Sequence, residues 1–532
     1  MASSEDRRLK PKNNEVRVRL YSQGVGDCFL LAFPADNERG VCYLAIDCGV
    51  ALGTPERELR SRLIVEDLAA ATGGILDILV ITHQHFDHIS SFKDNWREWQ
   101  KIRVESLYLP WTERNAEKGE VKSKKKLEEV LKRAAEKALG MLGKEALAEQ
   151  PILAAQAQFL GFTPGEVPQN LDDAMDFVRS LCRGQIRYFV PGDVFRLPGT
   201  GSHGYVLGPP LPHQTNAEGK AYIELLEDHE AMYSYADFGL VPDRGLVGGD
   251  RAFALSDDRA MPSLASGLLA VNSLDRAADE GFSPFACERR LDWDFAMATP
   301  FFRNHYGEKD ERGENGQWRR VDGDWLAGIS ELALRAGDFT NNVSLVLAFD
   351  IPGSDKMLLF PGDAQVGNWL SWHQIERWSF VDGSLPPNPP RASDKKTLME
   401  NLLGRVAFYK VGHHGSHNAT TKSHGLEMMT REDLVAFIPV SVPVAQDLMG
   451  YCPMPFYPVL RALLQRTQGR VFLPSGEAVE PAVGKVDHAA LRAKSGIALS
   501  KDELPAKFVD GAEQEGKVPL YLELTLSAEA PA

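Results

Sequence analysis

The feature that most constrains the fold is a short apolar run at residues 75–82, ILDILVIT, which ends in the polar cluster HQHFDH. An uninterrupted apolar run of this length predicts a β-strand that is buried on both faces. Three histidines and one aspartate follow within six positions, although the chain of 532 residues has only 13 histidines. We therefore expect a functional loop at the carboxyl end of an interior strand.

The cluster has the form H-x-H-x-D-H and contains His83, His85, Asp87 and His88. Alternate residues of an extended segment point the same way, so His83 and His85 are expected to converge on one ion. Asp87 and His88 then turn toward a neighbouring position. Imidazole and carboxylate together suit zinc, iron or manganese. Four ligands from six residues fit one tetrahedron poorly, so we predict two ions about 3.5–4 Å apart.

Two more groups of candidate ligands also follow apolar strands. Asp363 ends the segment LLFPGD, in which Gly362 lets the backbone turn and present the carboxylate. His413 and His414 lie in GHHGSH and are flanked by glycines. Three clusters, each at the carboxyl end of a strand, predict one metal site built from distant parts of the chain.

The rest of the sequence predicts an α/β protein with large insertions. Strand patterns at 16–34 and 40–49 suggest a hairpin, and 55–72 has helical spacing. Residues 113–185 are helical and charged, and their lysine cluster either meets a phosphate backbone or forms a solvated helix face. The predicted divisions are a first half of the core at 1–112, a helical insertion at 113–185, core strands at 186–208, an insertion that could form a lid or substrate wall at 209–337, a second half of the core at 338–475 and a C-terminal extension at 476–532.

Composition narrows the classes of function and location. The net charge of -15 and the pI of about 5.4 argue against a generally basic surface that grips nucleic acid. The first residues lack the apolar core of a secretory signal, and no stretch approaches the roughly 18 apolar residues that cross a bilayer. Six cysteines without CxxC spacing are typical of free thiols in a reducing compartment. These features predict a cytoplasmic protein.

Taken together, the motifs resemble those of the metallo-β-lactamase superfamily, whose central signature is H-x-H-x-D-H. Within it, GVGDCFLL, LAIDCG, THQHFDH, NNVSLVL, LLFPGDA and KVGHHGSH are most similar to the hydrolase domain attached to bacterial DNA-uptake competence channels. The resemblance covers about 16–112, 186–208 and 338–475. It implies the α/β class, as an αββα sandwich of two mixed β-sheets with the metal site at one edge.

The resemblance also implies a role for each ligand. Of the histidine pair, we favour His414 as a ligand and His413 as a substrate-facing acid or phosphate contact, although spacing allows the reverse. The implied ligands are His83 and His85 on the first metal, Asp87, His88 and His414 on the second, and Asp363 between the two.

One position departs from the superfamily pattern. The third histidine of the first metal should lie just before SLVLAF, where this chain has Asn341 and Asn342. The DNA-uptake group has a similar asparagine. An amide oxygen is a harder and weaker ligand than imidazole, which favours manganese or a loosely held ion over tightly bound zinc. His305, in the second insertion, is an alternative third ligand.

Four residues near the ligands have expected secondary roles. Asp47, at the end of the strand in LAIDCG, is expected to orient a ligand histidine by accepting a hydrogen bond. Lys410 either neutralises a substrate oxyanion or pairs with Asp47. Asp27 is interpreted as a turn residue and Cys48 as a buried thiol.

The implied chemistry is hydrolysis, with Asp87, His413 and Lys410 as catalytic candidates and two Zn²⁺ or Mn²⁺ ions as cofactors. Two ions that share the loop can activate a bridging hydroxide at neutral pH. We favour cleavage of phosphodiester bonds in nucleic acid or a nucleotide-like substrate. A carboxylic ester, lactone or β-lactam hydrolase is the first alternative. A metal-stabilised sensor or a module that binds a protein partner through the insertions is the second.

Overall fold

The computed structural model describes residues 7–114, 171–239, 298–306, 338–448, 454–476, 479, 487–504 and 518–528, and the structural statements below concern these residues. Most of the helical insertion predicted at 113–185, including its lysine cluster, lies outside them. The same holds for most of the insertion predicted at 209–337. His305 belongs to a described helix, but its side chain lies outside the described part.

Two eight-stranded sheets and a two-stranded sheet contain the strands. In chain order the strands are β1 Glu15–Tyr21, β2 Phe29–Pro34, β3 Val41–Ile46, β4 Ile75–Val80, β5 Arg103–Pro110, β6 Cys182–Phe189, β7 Asp193–Arg196, β8 His203–Gly208, β9 Val346–Asp350, β10 Met357–Phe360, β11 Ser379–Phe380, β12 Val406–Lys410, β13 Val435–Phe437, β14 Val471–Phe472, β15 Ile497–Leu499, β16 Glu503–Leu504, β17 Val518–Pro519 and β18 Tyr521–Ser527. The first large sheet has the order β15-β18-β1-β2-β3-β4-β5-β6, and the second has the order β11-β7-β8-β9-β10-β12-β13-β14.

Both large sheets are mixed. In the first, β1, β2 and β3 are antiparallel, and β3 to β6 are parallel. In the second, β8, β9 and β10 are antiparallel, whereas β10, β12, β13 and β14 are parallel. The predicted hairpin is confirmed, because β2 pairs with β3 from Phe29↔Ile46 to Pro34↔Val41.

The described helices are short except for the first. They are α1 Arg57–Thr72, α2 Phe86–Asp94, α3 Trp96–Trp99, α4 Leu171–Leu181, α5 Pro300–Tyr306, α6 Val366–Trp372, α7 Leu398–Leu403, α8 Tyr457–Thr467 and α9 His488–Lys494. Helix α1 confirms the helical spacing at 55–72 and ends at Gly73, whose φ of 65° is the left-handed conformation that glycine adopts most readily. No helix of the described ranges is long and apolar enough to cross a membrane.

Side chains alternate between two buried environments along the central strands. Phe29, Leu31 and Phe33 of β2 pack with residues of the second sheet, and the rings of Phe29 and Phe360 lie 5.5 Å apart. The intervening Leu30 and Ala32 pack against residues of α1, α2 and α4. The second sheet likewise packs its other face against α6, α7 and α8. The fold is therefore mixed α/β, with two sheets face to face and helices on their outer sides.

The carboxyl ends of three strands meet at one edge of this arrangement. The strand β4 leads into the 82–88 segment, β10 into Asp363, and β12 into the Gly412–Gly415 turn. The sheets are tied together there, because Leu345 N donates a hydrogen bond to Thr82 O at 2.9 Å. Gly362 has a φ of 59°, and a Cβ there would lie 3.0 Å from the Cβ of Thr82. The turn before Asp363 therefore requires glycine.

The C-terminal segment that the sequence sets apart at 476–532 contributes to the first large sheet. Its strand β18 pairs with β1 along seven residues, from Glu15↔Ser527 to Tyr21↔Tyr521, and with β15 on its other side. Its buried side chains, among them Leu522 and Leu524, belong to the core between the sheets.

Candidate metal centre

Residues from four distant segments form a buried polar cluster at the edge where β4, β10 and β12 end. Ligand atoms of Asp27, His88, Asp363 and His414 all lie within 4.8 Å of one another. Each of these residues is at most 1% exposed. Carboxylate oxygens and imidazole nitrogens at such distances could hold a metal ion. The predicted convergence of the 83–88 loop, Asp363 and the Gly412–Gly415 turn is therefore present in the structure.

His88 is held by one ring nitrogen and presents the other to the cluster. Its Nδ1 lies 2.8 Å from Asp47 Oδ2, and its Nε2 lies 3.1 Å from Asp363 Oδ2. Asp47 is itself fixed, because Thr82 donates to it from the backbone amide at 2.8 Å and from the hydroxyl at 2.6 Å. Asp47 thus has the orienting position expected for it, and this outer contact is typical of a metal-binding histidine.

His414 repeats the same arrangement from the opposite side. Its Nδ1 lies 2.9 Å from Pro439 O, and its Nε2 lies 2.8 Å from Asp87 Oδ2. The φ angles of His413 and His414 are 39° and 52°, a left-handed conformation that non-glycine residues rarely adopt. Strain of this kind directs one histidine of the pair inward and the other toward the opening. The inward residue is His414, as favoured from the sequence.

His83 is also held through its Nδ1 atom, like His88 and His414. Its Nδ1 lies 3.0 Å from Thr82 Oγ1 and 3.2 Å from Ser344 Oγ, whereas its Nε2 is buried and makes no hydrogen bond among the described residues. Oδ1 of Asp87 is likewise buried without a hydrogen bond there. The rings of His83 and His85 have centroids 4.7 Å apart. Buried polar atoms that make no hydrogen bond normally lower stability, so these two atoms are suited to contact a bound cation.

Lys410 is enclosed by acceptors. Its ammonium lies 2.6 Å from Asp27 Oδ2, 3.0 Å from Asp363 Oδ1 and 2.6 Å from Gly362 O. Burial acts to lower the pKa of Lys410, but Asp27 and Asp363 outweigh it and raise that pKa above its ordinary value. Lys410 therefore stays charged and positions Asp363. Its carboxylate partners are Asp27 and Asp363, and not Asp47 as one interpretation of the sequence had it.

Asp27 is the residue of the cluster that the sequence analysis missed. It was interpreted as a turn residue, and it does lie in the turn between β1 and β2, but its carboxylate reaches Lys410 in the interior. The available signal was the pair of glycines in GVGDC. Gly26 has a φ of 137°, and a Cβ there would lie 2.5 Å from Asp87 O. The glycine allows this turn to pack closely against the 83–88 loop.

His413 lies at the more exposed side of the cluster. Its Nδ1 is 2.8 Å from Ser416 Oγ, its Nε2 is 3.2 Å from Asn341 Nδ2, and its backbone amide donates to Asp363 Oδ1 at 3.1 Å. Burial lowers the pKa of His413 to about 3. The imidazole is therefore neutral at pH 7, which suits a hydrogen-bonding contact to substrate better than a proton donor.

Asn341 and Asn342 have different surroundings. The amide of Asn342 donates to Tyr222 O at 2.9 Å and to Ile223 O at 3.0 Å, and its oxygen accepts from Asn368 N at 2.8 Å. These contacts make Asn342 a structural residue. Asn341 instead faces His413, and its Oδ1 is buried without a hydrogen bond among the described residues. Asn341 is the one of the two that could supply an oxygen to an ion.

Electrostatics in the cluster favour a cation. Four buried carboxylates, those of Asp27, Asp47, Asp87 and Asp363, lie in the cluster with the ammonium of Lys410, and four minus one leaves three formal negative charges before the histidines are counted. Burial opposes the charged form of His88, but Asp363 and Asp87 hold its pKa well above its usual range. The pKa of His414 is raised in the same way by Asp363 and Asp87. Protons on these two histidines thus compensate charge that a metal ion would otherwise balance.

Two of the remaining histidines behave in the opposite way. Burial, with the charge of His88, holds the pKa of His83 well below its usual range. Burial lowers the pKa of His85 to about 4. Both rings are therefore neutral at pH 7, which is the protonation state that binds a metal.

Comparison with known proteins does not assign this chain to a family. No family model matches this chain, and no curated protein matches it. The likeness of its motifs to the metallo-β-lactamase superfamily therefore stays a prediction.

Proposed function

We propose that this chain is a metal-dependent hydrolase with a metallo-β-lactamase fold, and that it cleaves phosphodiester bonds. The observation that carries the proposal is shared by His83, His88 and His414. Each ring uses Nδ1 for an orienting contact and turns Nε2 toward the interior of the cluster. Metal-binding histidines typically have this arrangement, which supports the proposal.

The proposal includes two divalent ions. His83 and His85, with the oxygen of Asn341, would hold the first ion, and Asp363 would lie between the ions. The second would be held by Asp87, His88 and His414. When bound, a pair of ions of this kind supplies Lewis acidity and an activated water nucleophile.

The other residues of the cluster position these groups. Asp47 holds His88, and Lys410 with Asp27 holds Asp363. His413 and Ser416 lie on the more exposed side of the cluster, which is where we place the substrate. Two divalent ions would convert the three negative charges of the cluster into one positive charge. A site with that charge attracts an anionic phosphodiester.

Asn341 also bears on the choice of substrate. Acyl hydrolysis of a carboxylic ester, lactone or β-lactam relies on a well-held first ion, and an amide oxygen in place of a third imidazole holds that ion weakly. The same oxygen favours Mn²⁺ over Zn²⁺. Phosphodiester cleavage with Mn²⁺ is therefore the function that the site supports best.

The test is hydrolysis by the full chain with Mn²⁺, Zn²⁺ or Mg²⁺. Substrates would be bis-p-nitrophenyl phosphate, single- and double-stranded DNA and RNA, with nitrocefin and an acyl lactone alongside. Turnover of a phosphodiester should be highest with Mn²⁺ and should fall at least about 100-fold in Asp87→Asn. The matched control is His373→Ala, because His373 contacts His424 on the surface.

Three outcomes would contradict the proposal. Faster turnover of nitrocefin or the lactone would favour the acyl hydrolase. Phosphodiester turnover that survives in Asp87→Asn would come from a contaminant. Tight retention of metal without turnover of any substrate would favour a sensor or partner-binding module.

A further inference from the structure

We propose that Cys28 and Cys48 form a disulfide under oxidising conditions and that this bond weakens the metal centre. Their sulfur atoms lie 3.2 Å apart in the reduced protein. Each cysteine directly follows a carboxylate of the cluster, Cys28 after Asp27 and Cys48 after Asp47. A covalent bond between the two sulfurs would therefore act on both carboxylates at once.

The backbone around the cysteines is bonded to the metal-binding helix. Cys48 N donates to His88 O at 2.8 Å, and Cys48 O accepts from Ser91 Oγ at 2.6 Å. On the other side, Asp27 N donates to Asp87 O at 3.1 Å. A displacement of either cysteine is thus passed directly to the backbone that carries Asp87 and His88.

The same region has little room to absorb a displacement. A Cβ at Gly49 would collide with the backbone of Asp87, and a Cβ at Gly26 would lie 2.5 Å from the carbonyl oxygens of both Asp87 and Gly49. Three chain segments are packed backbone to backbone here. Because close-packed interiors transmit small shifts instead of damping them, the thiol pair is mechanically coupled to the site.

Formation of the bond requires an oxidant such as hydrogen peroxide. One thiol attacks the peroxide, whose O–O bond breaks to leave a sulfenic acid and one water. The second thiol then displaces the hydroxyl group as a second water, and the S–S bond forms. Two thiols thus lose two protons and two electrons, and one peroxide becomes two waters. Both thiols are buried, so the reduced pair reacts slowly and responds only to sustained oxidation.

The disulfide should lower metal affinity. Sulfur atoms in a disulfide are about 2.05 Å apart, so the two sulfur atoms must approach each other by about 1 Å. We expect that movement to disturb the contact of Asp47 with His88, at 2.8 Å, or that of Asp27 with Lys410, at 2.6 Å, because each carboxylate directly precedes one of the cysteines. Loss of such outer contacts typically weakens metal binding about 10- to 100-fold.

The test uses the full chain and Mn²⁺ as the probe. Protein is treated with excess hydrogen peroxide, desalted, digested without reductant and analysed by mass spectrometry for a peptide pair that joins Cys28 to Cys48. Mn²⁺ binding is measured in parallel from the electron paramagnetic resonance signal of the free ion. We expect the linked peptides together with a 10- to 100-fold weaker affinity that dithiothreitol restores. Neither readout requires hydrolysis, so the result is separable from the fate of the proposed function.

Two variants serve as controls. Cys42→Ser removes another buried thiol of the first sheet and should leave both the linkage and its effect unchanged. Cys48→Ser should abolish the linkage and make Mn²⁺ affinity insensitive to peroxide. Absence of the linked peptides from oxidised wild-type protein would overturn the proposal. A linked protein whose Mn²⁺ affinity stays within twofold of the reduced form would overturn it as well.

Discussion

Nδ1 of His88 lies 2.8 Å from Oδ2 of Asp47, and this contact decides that Nε2 is the nitrogen directed to Asp363. Asp47→Asn should therefore weaken binding of the second ion about 10- to 100-fold without removing any ligand. Asparagine tolerates the left-handed backbone at this position, where φ is 53°. Titration with Mn²⁺ measures the effect.

The control for that change is Asp77→Asn. Asp77 is also buried and accepts a hydrogen bond from Tyr43 N at 2.8 Å, but it lies on β4 before the metal-binding loop. Asp77→Asn should lower the free energy of unfolding and leave Mn²⁺ affinity unchanged. Equal losses of affinity in the two variants would mean that Asp47 acts only through folding.

Exchange of the two neighbouring asparagines for histidine should have opposite effects. Asn341→His places an imidazole beside His413, where an oxygen without a hydrogen bond among the described residues now lies, and should tighten Zn²⁺ retention about tenfold or more. Asn342→His should instead destabilise the fold by about 2–4 kcal/mol, because its contacts with Tyr222, Ile223 and Asn368 are lost. Elemental analysis after dialysis measures Zn²⁺ retention, and thermal unfolding measures stability. The two measurements together distinguish the two variants. Tighter retention in Asn342→His alone would reverse the assignment.

Removal of metal should make stability decrease with pH above about pH 7.5. In the ion-free protein His88 and His414 have raised pKa values, so the folded state holds protons that the unfolded state releases above pH 6.5. The free energy of unfolding should then decrease with rising pH, by at most about 1.4 kcal/mol per pH unit for each histidine. His83, His85 and His413 have lowered pKa values in the folded protein, and above about pH 7.5 they are neutral in the unfolded state as well, so they add no slope there.

Saturating Mn²⁺ provides the comparison, because a bound ion replaces the protons on these rings. Urea unfolding between about pH 7.5 and 9 should show the slope in chelator and lose it with the ion. A slope of the same size in both conditions would assign the pH dependence to other groups.

The ion pairs of β1 offer a prediction about stability. Arg19 lies 2.6 Å from Asp67 and 2.8 Å from Glu523, and all three side chains are nearly buried. Arg19→Met would leave buried Asp67 without its cation and Glu523 with that of Arg17 alone, and should cost about 3–5 kcal/mol. Arg17→Met is the matched control on the same strand, because Arg17 is 29% exposed and its pair with Glu523 should contribute less than about 1 kcal/mol. Urea denaturation of both variants checks the difference, and equal losses would refute it.

The sequence revealed the strands and most residues of the buried polar cluster because those signals are local. An apolar run such as 75–80 specifies a buried strand, and a polar residue after it must lie at the edge of the sheet. Asp363 was found for this reason, and so was the orienting position of Asp47. The mixed α/β class followed from the same patterns.

The parts that were not predicted depend on contacts between remote segments. Asp27 has the sequence of an ordinary turn residue, and only the buried ammonium of Lys410 draws its carboxylate into the cluster. Which of Asn341 and Asn342 faces the site depends on the turn before β9, because adjacent side chains point apart. Likewise the left-handed backbone of His413 and His414 cannot be read from spacing.

The pairing of β1 with β18 constrains the order of events during synthesis. A ribosome completes Glu15–Tyr21 early, yet that strand gains its second neighbour only when Tyr521–Ser527 has been translated. Until then one side of β1 offers unpaired amide and carbonyl groups, the kind of open edge at which nascent chains associate wrongly. A truncated product that ends before this strand would keep all the proposed metal ligands and still lack the strand that pairs with β1.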